Sequence, residues 1–411
     1  MNETAAISTL KYQNSDKANY FIFKYLWLFI IVPKTLQLVL LAGYFLSLFA
    51  KNNWQIKIPK CVRCFFGIAV VHFISIIINS FLDSYEFSRI LAAFNTDFIC
   101  FIALGIFSLI YNSTEKFEAV KIGKYCLINQ FILLAVYITS LIFNLELINF
   151  GFETRMIWGI DYLNGEQTVR FVGLFEYPVL EGLFILFSLP FLSLYLIKTN
   201  KKLLFFISLA VSLWLIKECG SRSALILGIA EICVCLWYFL KTRKIKNQTK
   251  ILIITLAVTA TVCFALFNHA FLENKITDLI LSRSGSNSTR FNIYEISIST
   301  AWEQSPLIGL GIKKMLGNYP LGSHSTYIGV FYKTGIIGVI LLIFGLIGLL
   351  SAHIRKIKSG DKKDLFIFLY ILLFALALIF EDLDGADWLI VLFFTMEGVC
   401  LKPLSNRGNM I

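Results

Sequence analysis

Apolar runs of about twenty residues alternate with short polar breaks along most of this chain. A hydrocarbon core ~30 Å thick takes about 20 apolar helical residues to cross. The runs near 20–33, 35–50, 61–81, 88–110, 123–145, 171–197, 202–217, 222–240, 250–272, 324–350, 364–380 and 386–401 are therefore read as spans. The first two fit either one helix kinked at Pro33 or a short hairpin. Two polar connections are long, 146–170 and 273–323. The pattern predicts an all-α polytopic membrane protein with about twelve transmembrane helices. It forms a single transmembrane domain over 1–411, with a large loop at 273–323.

Composition agrees with this reading. The chain has 411 residues, 57% hydrophobic and 15% charged, with mean hydropathy +0.75; soluble domains run nearer a quarter charged. The first nineteen residues are polar, include Lys11, Asp16 and Lys17, and are followed by no small-residue cleavage site, which predicts an uncleaved anchor. The net charge of +11 matters through its placement and gives no reason to expect a nucleic-acid partner. Connections 51–60, 111–124, 198–202, 241–250 and 351–363 hold nineteen Lys/Arg and three acids, whereas 82–89 and 381–387 hold one basic residue and six acidic ones. The positive-inside bias makes the first set cytoplasmic and the second external. A lysine-bearing N-terminus then favours the hairpin, with both termini inside and both long connections outside.

Some chemistry is excluded early. Nine cysteines are scattered, mostly in apolar runs, and Cys61–Cys64 is a lone CxxC with no second pair or nearby histidine; buried thiols fit better than a metal site. No Walker loop or kinase signature is present, so no nucleotide, metal or other cofactor is expected.

Within 273–323, "SNSTRFNIYEISISTAWEQSPLIGLGI" predicts a surface helix. Ser286, Asn287, Ser288 and Thr289 offer N-caps, and Pro306, Gly309 and Gly311 stop it. Phe291, Tyr294, Ile298 and Ala301 or Trp302 share one face, which would lie on the membrane boundary. Arg290 is placed in the first turn, either as a phosphate clamp beside free N–H groups or as an arginine snorkelling to water. Arg222 follows a short external turn in "KECGSRSALILG". Positive charge there runs against the topological bias, so it faces a polar cavity or an anion, or else is simply interfacial. Arg170, in "TVRFVGLFEYPVLEG", raises the same question. Glu176 and Glu181 lie in the apolar run after it, with Arg170 or Arg222 as natural partners. His324 stands at the entry of a span in "LGSHSTYIGVFYKTGIIG". An imidazole with a reference pKa of ~6.5 can take a proton from a hydroxyl, though a lone histidine also serves as an interfacial polar residue. His72, His269 and His353 are read as lacking a comparable polar setting.

Taken together, "RFVGLFEYP", "GSRSALILG", "STRFNIYEISISTAWEQSPLIGLGI" and "GSHSTYIGVFYKTGIIG" resemble the O-antigen ligase and polymerase superfamily of bacterial surface-polysaccharide assembly. The likeness covers roughly 165–345. Members typically carry His-Asn where this chain has His324-Ser325, and asparagines where it has Glu176-Tyr177-Pro178. The resemblance implies a metal-independent, inverting glycosyltransferase of the bacterial plasma membrane, acting at the external face. A glycan on a polyprenyl diphosphate passes to the hydroxyl of a glycan or lipid-core acceptor. His324 would be the base, Arg222, Arg290 and Arg170 would hold the diphosphate, and Glu176, Glu181 and Tyr327 would support them. The rival reading is a flippase for lipid-linked oligosaccharide, for which ionisable residues would instead gather near the midplane.

Overall fold

The computed structural model describes residues 20–113, 117–163, 166–242, 284–317, 319–358, 362–381 and 387–403. The predicted span 250–272, with His269, lies outside the described residues, as do 1–19 and most of the basic run 241–250.

The predicted all-α architecture is present. In chain order the helices are α1 (Phe21–Lys24), α2 (Leu26–Ile31), α3 (Lys34–Lys51), α4 (Arg63–Leu82), α5 (Phe87–Asn112), α6 (Ala119–Phe143), α7 (Pro178–Lys198), α8 (Lys202–Glu218), α9 (Arg222–Thr242), α10 (Ser284–Gln304), α11 (Thr326–Lys358), α12 (Lys362–Phe380) and α13 (Asp387–Leu401). Seven of the described helices are long and apolar enough to cross a membrane: α3, α4 with its preceding turn, α5, α6, α7, α9 and α11. Shorter apolar helices cover 365–380 and 388–401.

Pro33 separates α2 from α3, and the ring of Phe21 stacks on that of Tyr44 across the break. That contact requires the chain to double back, so residues 20–50 form the hairpin; its first limb is two short helical pieces rather than one continuous span. The predicted span 171–197 begins late, at Pro178 in the first helical position. Gly173 and Leu174, both at positive φ, turn the chain first. The helix that follows, α7, is buried on nearly every side, as expected of a helix apolar all round. Gly123 of α6 lies against the Phe191 carbonyl, where a Cβ would clash.

The connection 146–170, read as polar, is a β ribbon. β1 (Leu147–Asn149) pairs antiparallel with β2 (Thr154–Met156), and β3 (Trp158–Leu163) pairs with β4 (Glu166–Phe171). A small pair, β5 (Met315–Leu316) and β6 (Tyr319–Pro320), closes the loop after α10.

The longest helix, α11, is broken at Gly335 (φ 62°, ψ −160°). Segment 306–311 fills the break. Ile336 and Ile337 N–H donate to the Pro306 and Leu307 carbonyls, while Leu310 and Gly311 N–H donate to Tyr332 and Lys333. Helix α4 holds the other side of the segment. Ser75 Oγ (2.9 Å) and Asn79 Nδ2 (3.1 Å) both donate to the Gly309 carbonyl. Irregular backbone at membrane depth survives only where protein satisfies it in this way.

His72 completes the grip, and here the expectation that it lacks a polar setting is corrected. Its Nε2 lies 2.9 Å from the Gly311 carbonyl and its Nδ1 3.0 Å from Asp97 Oδ1. His353 likewise meets Glu397 at 2.8 Å, also buried. These acceptors lie 25 to 239 residues away along the chain, so local pattern could not reveal them. Removing one partner of a buried pair strands the other charge at about 3–5 kcal/mol. His72→Ala is therefore expected to destabilise the protein by that order in detergent melts, and an unchanged melting midpoint would contradict the clamp.

Among the described residues, the lysine-rich connections 51–60, 111–124 and 198–202 share one end of the bundle. Asn112 Nδ2 donates to the Lys57 carbonyl, Lys198 Nζ faces Glu118, and Lys402 Nζ reaches the Ser113 carbonyl. The acidic turn 82–87, the β ribbon and the loop after α10 gather at the opposite end, where Lys314 bridges to Asp83.

Candidate functional site

The site lies at the lysine-poor end, around the start of α9. Arg222 is the first residue of α9, and Ser221 Oγ accepts from the Ala224 N–H, capping the helix. Ser223 Oγ donates to Glu381 Oε1 at 2.7 Å. Arg170, on β4, donates from Nε to the Cys219 carbonyl (2.9 Å) and lies along Gly220. It thereby holds the turn that delivers Arg222. Thiol Cys219, inside this turn, is pushed up to about 12 by burial.

Helix α10 supplies the next cation. Arg290 Nη1 donates to the Phe380 carbonyl at 3.2 Å, one residue before Glu381. The helix starts at Ser284, so Arg290 is not in the first turn as expected: its own N–H belongs to the helix interior, and only its side chain can serve an anion. The predicted apolar face is split. Phe291, Ile298 and Trp302 are exposed together, whereas Ala301 is buried and Tyr294 half-buried beside Ile293 and Ser297. The inner residues fasten the following loop, since Tyr294 Oη donates to the His324 carbonyl (2.8 Å) and Ser297 Oγ accepts from Gly322 N–H (2.7 Å).

His324 sits in that loop at φ 66°, a left-handed conformation uncommon outside glycine and worth explaining by function. Behind it, Thr326 N–H and Oγ1 donate to the Glu381 carbonyl. Its ring is half-buried, and among the described residues neither ring nitrogen has a hydrogen-bond partner. Burial, then the charges of Arg290 and Lys313, lower its pKa from the usual 6.5 to about 4. The imidazole is consequently neutral at neutral pH, with lone-pair capacity for a proton. Arg290's charge also reaches Arg222. One arginine thus links the other predicted arginine to the predicted base.

The supporting residues fall out differently. Tyr327 Oη donates to the Ala375 carbonyl (3.0 Å), tying α11 to α12. Glu176 accepts from Trp388 Nε1 (3.4 Å) and feels Arg155 rather than Arg170 or Arg222; burial holds its pKa above the ordinary carboxylate range. Glu181 is buried, and neither carboxyl oxygen has a hydrogen-bond partner among the described residues. The expected pairing of these carboxylates with Arg170 or Arg222 is not what brings the site together. Two residues went unread: Lys313, whose charge acts on His324, and Glu381, buried though counted in an acidic connection. Lys313 stands at the lysine-poor end of the bundle, the same signal that draws attention to Arg222.

Residues 207–343 match the family model described as O-antigen ligase. The match covers about a third of the chain and runs from α8 into α11, taking in Arg222, Arg290, Lys313, His324 and Tyr327. Arg170, Glu176, Glu181 and Glu381 lie outside it. No curated protein matches the chain. Over that segment, with helices of membrane-crossing length around it, the chain is similar to the O-antigen ligase family.

Proposed function

We propose that this membrane enzyme of polysaccharide assembly is an inverting glycosyltransferase working at the external face of the bacterial plasma membrane. Its donor is a glycan on a polyprenyl diphosphate, and its acceptor is a hydroxyl of another glycan or of a lipid core. The observation that carries the reading is the junction at Phe380 and Glu381, where the Arg290 guanidinium, the start of α9 beside Arg222 and the residue two after His324 are all fastened. An anionic leaving group held there would lie beside a neutral imidazole.

In this reading the acceptor O–H gives its proton to His324 as the oxygen attacks the anomeric carbon. The bond to the diphosphate breaks on the opposite side, which inverts the centre. Arg290 and Arg222 meet the negative charge that gathers on the leaving oxygen, the task for which prepared cationic groups contribute most in catalysis. Guanidinium forks suit phosphate oxygens, and Arg170 keeps the Arg222 turn in place. The donor is already activated, so no nucleotide is needed.

The test is purified protein in vesicles, given a lipid-linked repeat unit and either a second repeat unit or a lipid core. Longer chains identify a polymerase and glycosylated core a ligase; donor that only changes leaflet identifies the flippase and refutes transfer. Arg290→Gln should slow transfer about 10²–10³-fold, with Arg290→Lys between because a point charge replaces the fork. Wild-type rates in Arg290→Gln would remove the clamp.

A further inference from the structure

Burial alternates along β2 and on into β3. Arg155, Ile157 and Gly159 are buried, while Thr154, Met156 and Ile160 are exposed. The outward pairs are apolar. Leu147 stands across from Met156 and Ile160 across from Val169, with 54%, 50%, 60% and 61% of their surfaces exposed. The inward face carries the cations, Arg155 against Glu153 and Arg170 against the Cys219 carbonyl. A sheet in water has the opposite arrangement, polar residues outward and apolar inward.

What covers the outer face follows from its neighbour. Trp158 and Phe171 pack on Tyr137 of α6, and Trp158 Nε1 donates to Ser140 Oγ (3.0 Å). One turn later α6 ends in Leu141, Ile142 and Phe143, all exposed. The outer face of the ribbon therefore continues the exposed apolar end of a membrane-crossing helix. We infer that the ribbon lies on the lipid surface, with Leu147, Met156, Ile160 and Val169 in the headgroup and upper acyl region. Trp158, an apolar body with one polar handle held by Ser140, fits that boundary. One face then rests on lipid while the other holds the turn before Arg222, so the ribbon sets the depth of the site relative to the headgroups. The inference is independent of the transfer reaction.

The test replaces Ile160, Val169, Phe143 or Thr168 singly with benzoylphenylalanine. Each full-length protein is reconstituted in phosphatidylethanolamine–phosphatidylglycerol vesicles and irradiated, and adducts are read by mass spectrometry. Phe143 is the lipid-facing reference, and Thr168 points to the opposite face of β4. Lipid adducts at 160 and 169 should match those at 143 and exceed those at 168 about tenfold, as for side chains immersed in the interface. Adducts at 143 but not at 160 or 169, equal adducts at 168, or crosslinks between two copies of the chain would each overturn the inference.

Discussion

A His324→Ala protein should insert normally and transfer glycan about 10²–10⁴-fold more slowly, the usual contribution of a positioned base. The left-handed backbone at His324 makes the choice of controls matter. His324→Asn keeps a residue that tolerates this conformation but cannot accept the proton, so it should be as slow as alanine. His324→Gly relaxes the backbone and opens space, and millimolar imidazole should restore part of its rate. Full activity in the asparagine variant would show that the loop needed only a residue at ease with positive φ. The pH profile adds a signed expectation. The working form is the neutral ring, and with a pKa of about 4 in the free enzyme it persists from neutral pH down to roughly pH 5. The acid limb of kcat/KM for the donor, which reports the free enzyme, should therefore fall near 4 and not near 6.5. A bound diphosphate offsets the positive field of Arg290 and Lys313, so the limb of kcat, which reports the complex, should lie at higher pH. A kcat/KM limb at 6.5 would mean that neither burial nor those cations act on the ring.

Fold class was legible because a lipid core imposes one long constraint, about twenty apolar residues per crossing. Arg222 and His324 draw notice for the converse reason, as ionisable groups at span entries on the lysine-poor side, and Arg290 for its place near the head of a predicted surface helix. What stayed hidden was set by distance along the chain or by period. The ribbon has both faces apolar around Ile157 and Trp158, so the two-residue alternation of a half-solvated strand was blurred into a loop. His72 shows no polar partner until α5 brings Asp97, 25 residues on, against it. Glu381 was counted among loop carboxylates, although its carbonyl accepts from Thr326 and its carboxylate from Ser223. Gly335 looked like any glycine in an apolar run, since hydropathy does not report a broken helix.

That glycine carries the largest stability effect expected outside the chemistry itself. At φ 62° and ψ −160° the backbone is in a region essentially reserved for glycine, and other residues pay about 1–3 kcal/mol to enter it. A Cβ there would also lie 2.4 Å from the Leu307 carbonyl carbon and oxygen and 2.6 Å from Ile308 N. These are backbone atoms, and Ser75, Asn79 and His72 brace the same segment two to four residues on, leaving it little room to retreat. If segment 306–311 were displaced, the N–H groups of Ile336 and Ile337 and the carbonyls of Gly309 and Gly311 would lose their partners, at about 1–3 kcal/mol for each buried group. Gly335→Ala should thus cost well above 3 kcal/mol in detergent melts and, because α10 and the His324 loop flank that segment, should reduce transfer as well. Gly43→Ala is the matched control: an α3 glycine with nothing within 4 Å of its added methyl, where alanine is expected to gain up to about 1 kcal/mol of helix propensity. Equal melting of Gly335→Ala and the parent would mean that the break in α11 is not fixed by this residue, and the account of how His324 is held would have to start from the loop alone.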